Sequence, residues 1–458
     1  MGTIYGLAVV LVIFEMLIIQ CEGTGDERSS KRIKRCPPTL PTELIEDILI
    51  ETDYKTIQKA ILYNVVENDF VMSRILNNDI IRIRQSEFDG KIHEYNHFGN
   101  LYLVLSDYKE FFKFFEKYGS KVKRIEYWCD PYITKDRLTE INEKIIKKCA
   151  ESIEELRIYT HNDAVIWDGL SNGENDIVFP KVKKFQIDGS SNKKQFKLDV
   201  MFPELESVKL IGYIFDRDCL ANVRTLKELT LDTQSIEETK LQSIFPNNVN
   251  LTMISLFAPQ RMETMQSIVT HLPHLETLEV KYTGENFLSG SPNVFAVPSV
   301  KHFDIMFEGV EDQLETRNLS FYMPNLERLT ADGDPTDERI IHFIKHSKKL
   351  ETLELFAEHY DPLKTIAKLR NIKEFATSLR ELDFDSMKKW FEQFDDTYEL
   401  ETLKLIDSDD DFYEQYKNAM EAINIHLEEF GTRTWTTSHE HSDETGMSYI
   451  MFKRNPRT

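Results

Sequence analysis

Leu275-Glu276-Thr277-Leu278-Glu279-Val280 decides the architecture, because its L-x-x-L-x-L spacing returns along most of the chain. Clean copies are Leu226-Lys-Glu-Leu229-Thr-Leu231, Leu350-Glu-Thr-Leu353-Glu-Leu355 and Leu400-Glu-Thr-Leu403-Lys-Leu405. Weaker copies begin at Ile153, Val182, Leu205, Leu251, Val300, Leu326 and Ile372. Successive starts lie 29, 23, 21, 25, 24, 25, 26, 24, 22 and 28 residues apart. Alternate side chains of a strand face opposite ways. Leu278 and Val280 therefore point into a core, and Thr277 and Glu279 point to the other face. Leu275 starts the strand and fills the layer below. One such strand cannot bury its apolar edge alone, so neighbours must stack.

A period of 20–29 residues is the mark of leucine-rich repeats. The fold expected is α/β: a curved horseshoe with parallel strands on its concave face and helices outside. Segments between the strands carry helical spacing, as in 337–349, with Ile340, Ile341, Phe343 and Ile344. Acidic residues open that segment and lysines close it, matching the helix dipole. Segments 262–271 and 362–369 read likewise.

The chain has 458 residues, 41% of them hydrophobic, enough for a long array and a small second domain. A net charge of −22 argues against broad binding to nucleic acid or anionic membranes. The five cysteines, Cys21, Cys36, Cys129, Cys149 and Cys219, form no C-x-x-C pair and do not bracket the array. Secreted solenoids usually staple their ends with disulfides, so the body looks built for a reducing compartment. The N-terminus reads the other way. Residues 4–19 are nearly all apolar, and Cys21-Glu22-Gly23 offers small residues where a signal peptidase cuts. The run is shorter than the roughly 20 residues of a membrane span. A cleaved leader over 1–23 is the expectation. A signal-anchor with Lys31-Arg-Ile-Lys-Arg35 on the cytoplasmic side is the alternative, as is a misplaced start. That basic run lies in a linker, 24–38, and also fits a processing site or a nuclear-import patch.

The next stretch is Leu40-Pro41-Thr42-Glu43-Leu44-Ile45-Glu46-Asp47-Ile48-Leu49. Pro41 suits the start of a helix, where its missing N–H costs nothing. Leu44, Ile45, Ile48 and Leu49 make an i, i+1, i+4, i+5 stripe. Segment 56–66, with Ile57, Ala60, Ile61 and Val65, reads as a second helix. This stretch resembles the opening of an F-box, L-P-x-E-[LI]-[LI]-x-x-[IV]-[LF], and the resemblance extends over residues 39–84. It departs from the family further on, where segment 63–70 lacks the usual Trp-bearing ending.

The resemblance implies a specific role. F-box helices dock on a Skp-type adaptor that is bound to a cullin, the repeats hold a target, and a separate enzyme ubiquitinates it. Leu40, Pro41, Leu44, Ile48 and Leu49 match the family positions that meet the adaptor. A leader before an F-box is contradictory within one cell, unless the protein is exported and works in another organism's cytosol. The combination resembles the secreted salivary F-box/leucine-rich-repeat effectors of gall-forming midges, which recruit the host's adaptor. The localisation implied is secreted and then host-cell cytoplasm; the alternative is cytoplasmic throughout.

The expected organisation is thus leader 1–23, linker 24–38, F-box-like helices 39–84, a transition segment with repeats 85–432, and a strand or hairpin cap 433–458. The target is expected on the concave face, at Met253, Phe257, His302, Asp304, Met306, Glu354 and Phe356, with Arg157, Tyr159, Lys209 and Ile211 nearer the start. Exposed Met and Phe beside charges suit a protein surface. No P-loop, G-x-S-x-G or dinucleotide fingerprint is present, so no enzyme, cofactor or metal is expected. His439-Glu440-His441 is expected at a hairpin tip, and Asp407 to Asp411 in a strand-to-helix connection. Asn250-Leu-Thr252 and Asn318-Leu-Ser320 are sequons, with Leu251 expected to begin a strand. The competing function is a secreted repeat protein that binds through the array alone, or a scaffold whose N-terminal helices only cap the stack.

Overall fold

The computed structural model describes residues 80–85, 104–105, 112, 115–129, 135–160, 177–189, 197–212, 219–232, 238–259, 262–283, 293–308, 319–332, 347–356, 371–378, 388, 391, 399–407, 413–429, 433–442 and 447–456. Residues 1–23, expected as a leader, the expected linker 24–38, the residues from Leu40 to Leu49 expected to meet an adaptor, segment 362–369, most of 337–349 and Asn318 lie outside them. The chain divides into two units, 1–182 and 183–458. Each is a parallel-strand repeat solenoid.

The first unit carries β1 Ile80–Gln85, β2 Val104–Leu105, β3 Arg124–Cys129 and β4 Glu155–Thr160. All are parallel, in the order β2-β1-β3-β4. Two sequence expectations change here. Residues 80–84, expected to be helical, are strand and sit inside the sheet. Val122-Lys-Arg-Ile125-Glu-Tyr127 is a further copy of the repeat, 31 residues before Ile153 and so outside the 20–29 window. Its Val122, Ile125 and Tyr127 are buried. A helix from Lys135 runs through a π-helical turn, Asn142–Ile146, to Cys149. It buries Ile141, Ile145, Ile146 and Cys149.

The second unit carries β5 Lys184–Gly189, β6 Ser207–Ile211, β7 Glu228–Leu231, β8 Met253–Pro259, β9 Thr277–Thr283, β10 Asn293–Ala296, β11 His302–Glu308, β12 Leu319–Tyr322, β13 Arg328–Asp332, β14 Thr352–Phe356, β15 Glu374–Ser378, β16 Thr402–Asp407, β17 Trp435–Ser442 and β18 Met447–Arg454. From β5 to β16 the main sheet is parallel, with β10 and β12 set aside as a parallel pair of their own. Helices α1 Glu238–Asn247 and α2 Met262–His271 join consecutive strands, and α2 falls where its periodicity placed it.

Why the copies become strands is visible at their first residue. Ile153, Val182, Leu205, Leu226, Leu251, Leu275, Val300, Leu326, Leu350, Ile372 and Leu400 are all at most 2% exposed. Full withdrawal of such a side chain from water is worth about 2 kcal/mol. The chain enters this position through a tight turn. The N–H of Val182, Leu205, Leu275, Val300 and Leu326 each donates to the carbonyl three residues earlier, at 3.1–3.4 Å. Pro180, Pro203, Pro273, Pro298 and Pro324 hold the second position of these turns. Proline presets the φ required there.

The residue after the first apolar one builds a charged ladder. Lys123 pairs with Glu154 at 2.7 Å in the first unit. In the second, Glu206 receives Lys227 at 2.6 Å and Lys183 at 3.4 Å, Lys301 meets Glu276 at 3.1 Å and Lys373 meets Glu351 at 2.8 Å. The Lys227 hydrogen bond, joined by Lys183, holds the Glu206 carboxyl below its ordinary pKa. That contribution is present above the ordinary glutamate value and is lost as pH falls through the lowered folded value. Glu206→Gln should cost less than about 1 kcal/mol at low salt, and nothing measurable at about 1 M salt. Urea titrations at both salts check this, and an equal loss at both would reject the electrostatic account.

The parallel stack ends in an antiparallel hairpin. β18 pairs β16, and β17 pairs β18. Trp435 packs edge-on against Phe391 at 5.1 Å, and Phe452 against Phe391 at 5.3 Å. Helix α3, Tyr413–Glu429, ties in through Asn424, which donates to the Trp435 carbonyl at 2.7 Å and accepts from its N–H at 2.9 Å. The Arg454 N–H donates to the Glu401 carbonyl at 2.9 Å and so ends the series of strand-entry bonds. The exposed edge is left to the polar strand Trp-Thr-Thr-Ser-His-Glu-His-Ser, which discourages further pairing. His439, Glu440 and His441 lie in this strand, not at a hairpin tip, because pairing runs on to Ser442↔Met447. Strand β16 closes at Asp407 and α3 opens at Tyr413. β8 opens at Met253, so Leu251 ends the preceding turn and does not begin the strand; Asn250 in that turn is exposed.

Candidate protein-binding strand faces

In each unit the inward strand residues form the core and the alternate ones form an open face. Register sorts the second unit's face into levels. Met253, Thr277, His302, Arg328 and Thr352 share one. Ser255, Glu279, Asp304, Thr330 and Glu354 share the next. Lys281, Met306, Asp332 and Phe356 share the third. All seven expected target residues therefore fall on the outward alternation. Same-level pairs such as Met306 and Phe356 stand two strands apart, about 10 Å.

Exposure separates them. Phe257 is 49% and Met306 42% exposed, His302 is exposed, and Met253, Asp304, Glu354 and Phe356 are half-buried. Phe257 continues the alternation of Met253 and Ser255 and sits where the strand pairing is irregular. The β8–β9 register passes from Leu256↔Val280 straight to Pro259↔Lys281. The extra residues Phe257 and Ala258 form a bulge, and because two residues are added the in-and-out alternation keeps its phase. Ala258 turns inward and is buried, leaving Phe257 outward.

Glu354 is already engaged. It accepts from Arg328 Nη2 at 2.8 Å and from Thr330 Oγ1 at 3.3 Å, both on the neighbouring strand. Sequence reasoning passed over Arg328 and Thr330, though they obey the same alternation. It placed Glu279 outward but left it out of the expected target residues, though Glu279 faces Asp304 in register.

The first unit's face differs in chemistry. Trp128 and Tyr159 are direct cross-strand partners, stacked with ring centroids 4.4 Å apart and planes 16° apart. Trp128 Nε1 donates to Glu126 Oε1 at 2.5 Å, and Glu126 is 3% exposed. Arg157 grips Glu155 through Nε at 2.6 Å and Nη2 at 2.5 Å. Arg124 approaches the same carboxylate at 3.7 Å. Arg157 and Tyr159 thus lie outward, as their spacing indicated, while Trp128 and Glu126 belong to the copy the period missed.

No group of three or more His, Cys, Asp or Glu among the described residues is placed to hold a metal ion. No helix among them is long and apolar enough to cross a membrane. Cys149 and Cys219 are buried, and burial pushes the Cys149 thiol well above its ordinary pKa, the opposite of an activated nucleophile. No protein-family model matches the chain, and no curated protein does.

Proposed function

We propose that the chain is a non-catalytic substrate-recognition subunit of a Skp/cullin/F-box ubiquitin ligase, exported as an effector, whose leucine-rich-repeat horseshoe holds a protein target. The observation that carries the binding half is the strand face of the second unit. Phe257 and Met306 stand out of it between charged residues, the mixed chemistry of a protein interface. The adaptor half rests on Leu40, Pro41, Leu44, Ile48 and Leu49 in the F-box-like helices. The cysteine usage, with no C-x-x-C pair and no cysteines bracketing the array, favours action in a reducing cytosol over a disulfide-stapled life outside cells.

Two measurements test this reading. Replacing Leu40 and Pro41 together by Ala should lower capture of a purified Skp-type adaptor at least about tenfold, since a few apolar anchors dominate such interfaces. The repeats should keep their circular dichroism spectrum. Undiminished capture by the double variant ends the adaptor role. N-terminal sequencing of the secreted protein should begin near Thr24, and a mature chain that retains Met1 ends the export reading.

A further inference from the structure

We infer that Asn250 is a modification site, which carries an N-linked glycan once the chain has crossed a secretory compartment; this rests on the export half of the proposed function. Asn250-Leu251-Thr252 has the spacing the modification needs, a hydroxyl residue two places after an Asn with no proline between them. So short a pattern often arises by chance. Two features of the fold set this copy apart.

The first is an open acceptor. The Leu251 N–H donates to the Asn248 carbonyl at 3.1 Å, which puts Asn250 third in a tight turn. Leu251 is fully buried, while Asn250 and Thr252 on either side of it are exposed. Asn248 spends its amide on three buried backbone groups and has no atom to give a sugar. No hydrogen bond among the described residues uses the Asn250 side chain.

The second is a break in the charged ladder. The residue after the strand-opening one is Lys or Glu at every other copy, from Lys123 and Glu154 to Lys373 and Glu401. Thr252 stands in that column between Lys227 and Glu276. Those two turn away from it, to Glu206 at 2.6 Å and to Lys301 at 3.1 Å. A Glu at 252 would give Lys227 a second carboxylate. Threonine forgoes that pair, worth less than about 1 kcal/mol at an exposed site, and supplies the hydroxyl the sequon requires. Its Oγ1 donates to the Lys227 carbonyl at 3.1 Å, so it also stays tied to the neighbouring repeat.

The reaction is a glycosyl transfer from a lipid-linked oligosaccharide pyrophosphate, catalysed by a lumenal transferase. A bond forms between Asn250 Nδ2 and the anomeric carbon of the sugar. The bond from that carbon to the pyrophosphate oxygen breaks, and the pyrophosphate leaves with the electron pair. One amide proton passes to a base of the transferase, and nothing is oxidised or reduced. The glycan is anchored at the entry end of β8. Phe257 stands about 13 Å beyond Met253 along the same strand, at its other end.

The test expresses two versions in cultured eukaryotic cells: the full chain with its own N-terminus, and residues 24–458 behind a proven secretion leader. Cells and medium are pooled, so that chain retained inside the cell is counted. Mass spectrometry of peptide 241–261 should show Asp at 250 only after peptide-N-glycosidase treatment, in both versions. Asn250→Gln and Thr252→Ala should each lose one glycan on a gel, and Thr252→Ser should keep it. Any glycan on Asn318 is common to all these variants and leaves the difference unchanged. Unmodified Asn250 behind the proven leader, or a glycan that persists in Thr252→Ala, overturns the inference. Modification behind the proven leader but not behind the native N-terminus upholds the site and ends the export reading.

Discussion

Asn248→Ala should destabilise the second unit by about 3 kcal/mol or more, a large loss for one side chain on the protein's scale of stability. Asn248 is 1% exposed. Its Oδ1 accepts from the Leu226 N–H at 3.0 Å, and its Nδ2 donates to the carbonyls of Val223 at 2.9 Å and Ile244 at 3.0 Å. One amide thus closes the end of α1 and the entry to β7 at the same time. Removing it leaves three buried backbone groups unpaired, each costing about 1–3 kcal/mol. Asn248→Asp is no remedy, since it turns an acceptor toward two carbonyls. In a solenoid each repeat leans on its neighbours, so the damage is local first. Hydrogen exchange should show lost protection at Leu229, Leu231, Ile254 and Leu256, with Leu403 and Leu405 retained. An unchanged urea midpoint, or a uniform loss across all strands, would count against this account.

Asn248 also shows what the sequence hid. The position three before each strand-opening residue is apolar at Phe179, Phe202, Val223, Leu272, Val297 and Met323, all buried. Asn248, with Ser347 as the other buried polar residue of that column, is the available signal, and it becomes visible only once the turns align the column. The prolines at 180, 203, 273, 298 and 324 were the other unused signal. The core was legible because strand period and repeat period reinforce each other at every copy. Val122 escaped because a longer insertion stretched its interval beyond the expected range. The face was legible only in part. Alternation says which residues turn outward, but their cover depends on what lies beside them in register. Ser255 and Ala376 are 1% exposed though both turn outward. Glu126 likewise turns outward and is 3% exposed.

Phe257→Ser should cost the target complex at least about 2 kcal/mol, near thirtyfold in affinity, and Phe257→Ser/Phe356→Ser should remove the target from pull-downs. Phe257 is the most exposed large apolar side chain on this face, turned outward by the alternation that Met253 and Ser255 begin. Leaving that much aromatic surface in water opposes solubility, which makes binding the simplest reason for it. The core should not notice the change, because Ile254, Leu256 and Ala258 fill the inward side of β8. Glu354→Gln is the matched control. Its carboxylate already serves Arg328 and Thr330, so the change should lower stability slightly and leave the captured partners as they were. Should the double Phe variant capture the same partners as wild type, with adaptor binding and circular dichroism intact, the target sits elsewhere. Should Glu354→Gln lose the target while Phe257→Ser keeps it, the face binds through its charges and the apolar reading of it is wrong.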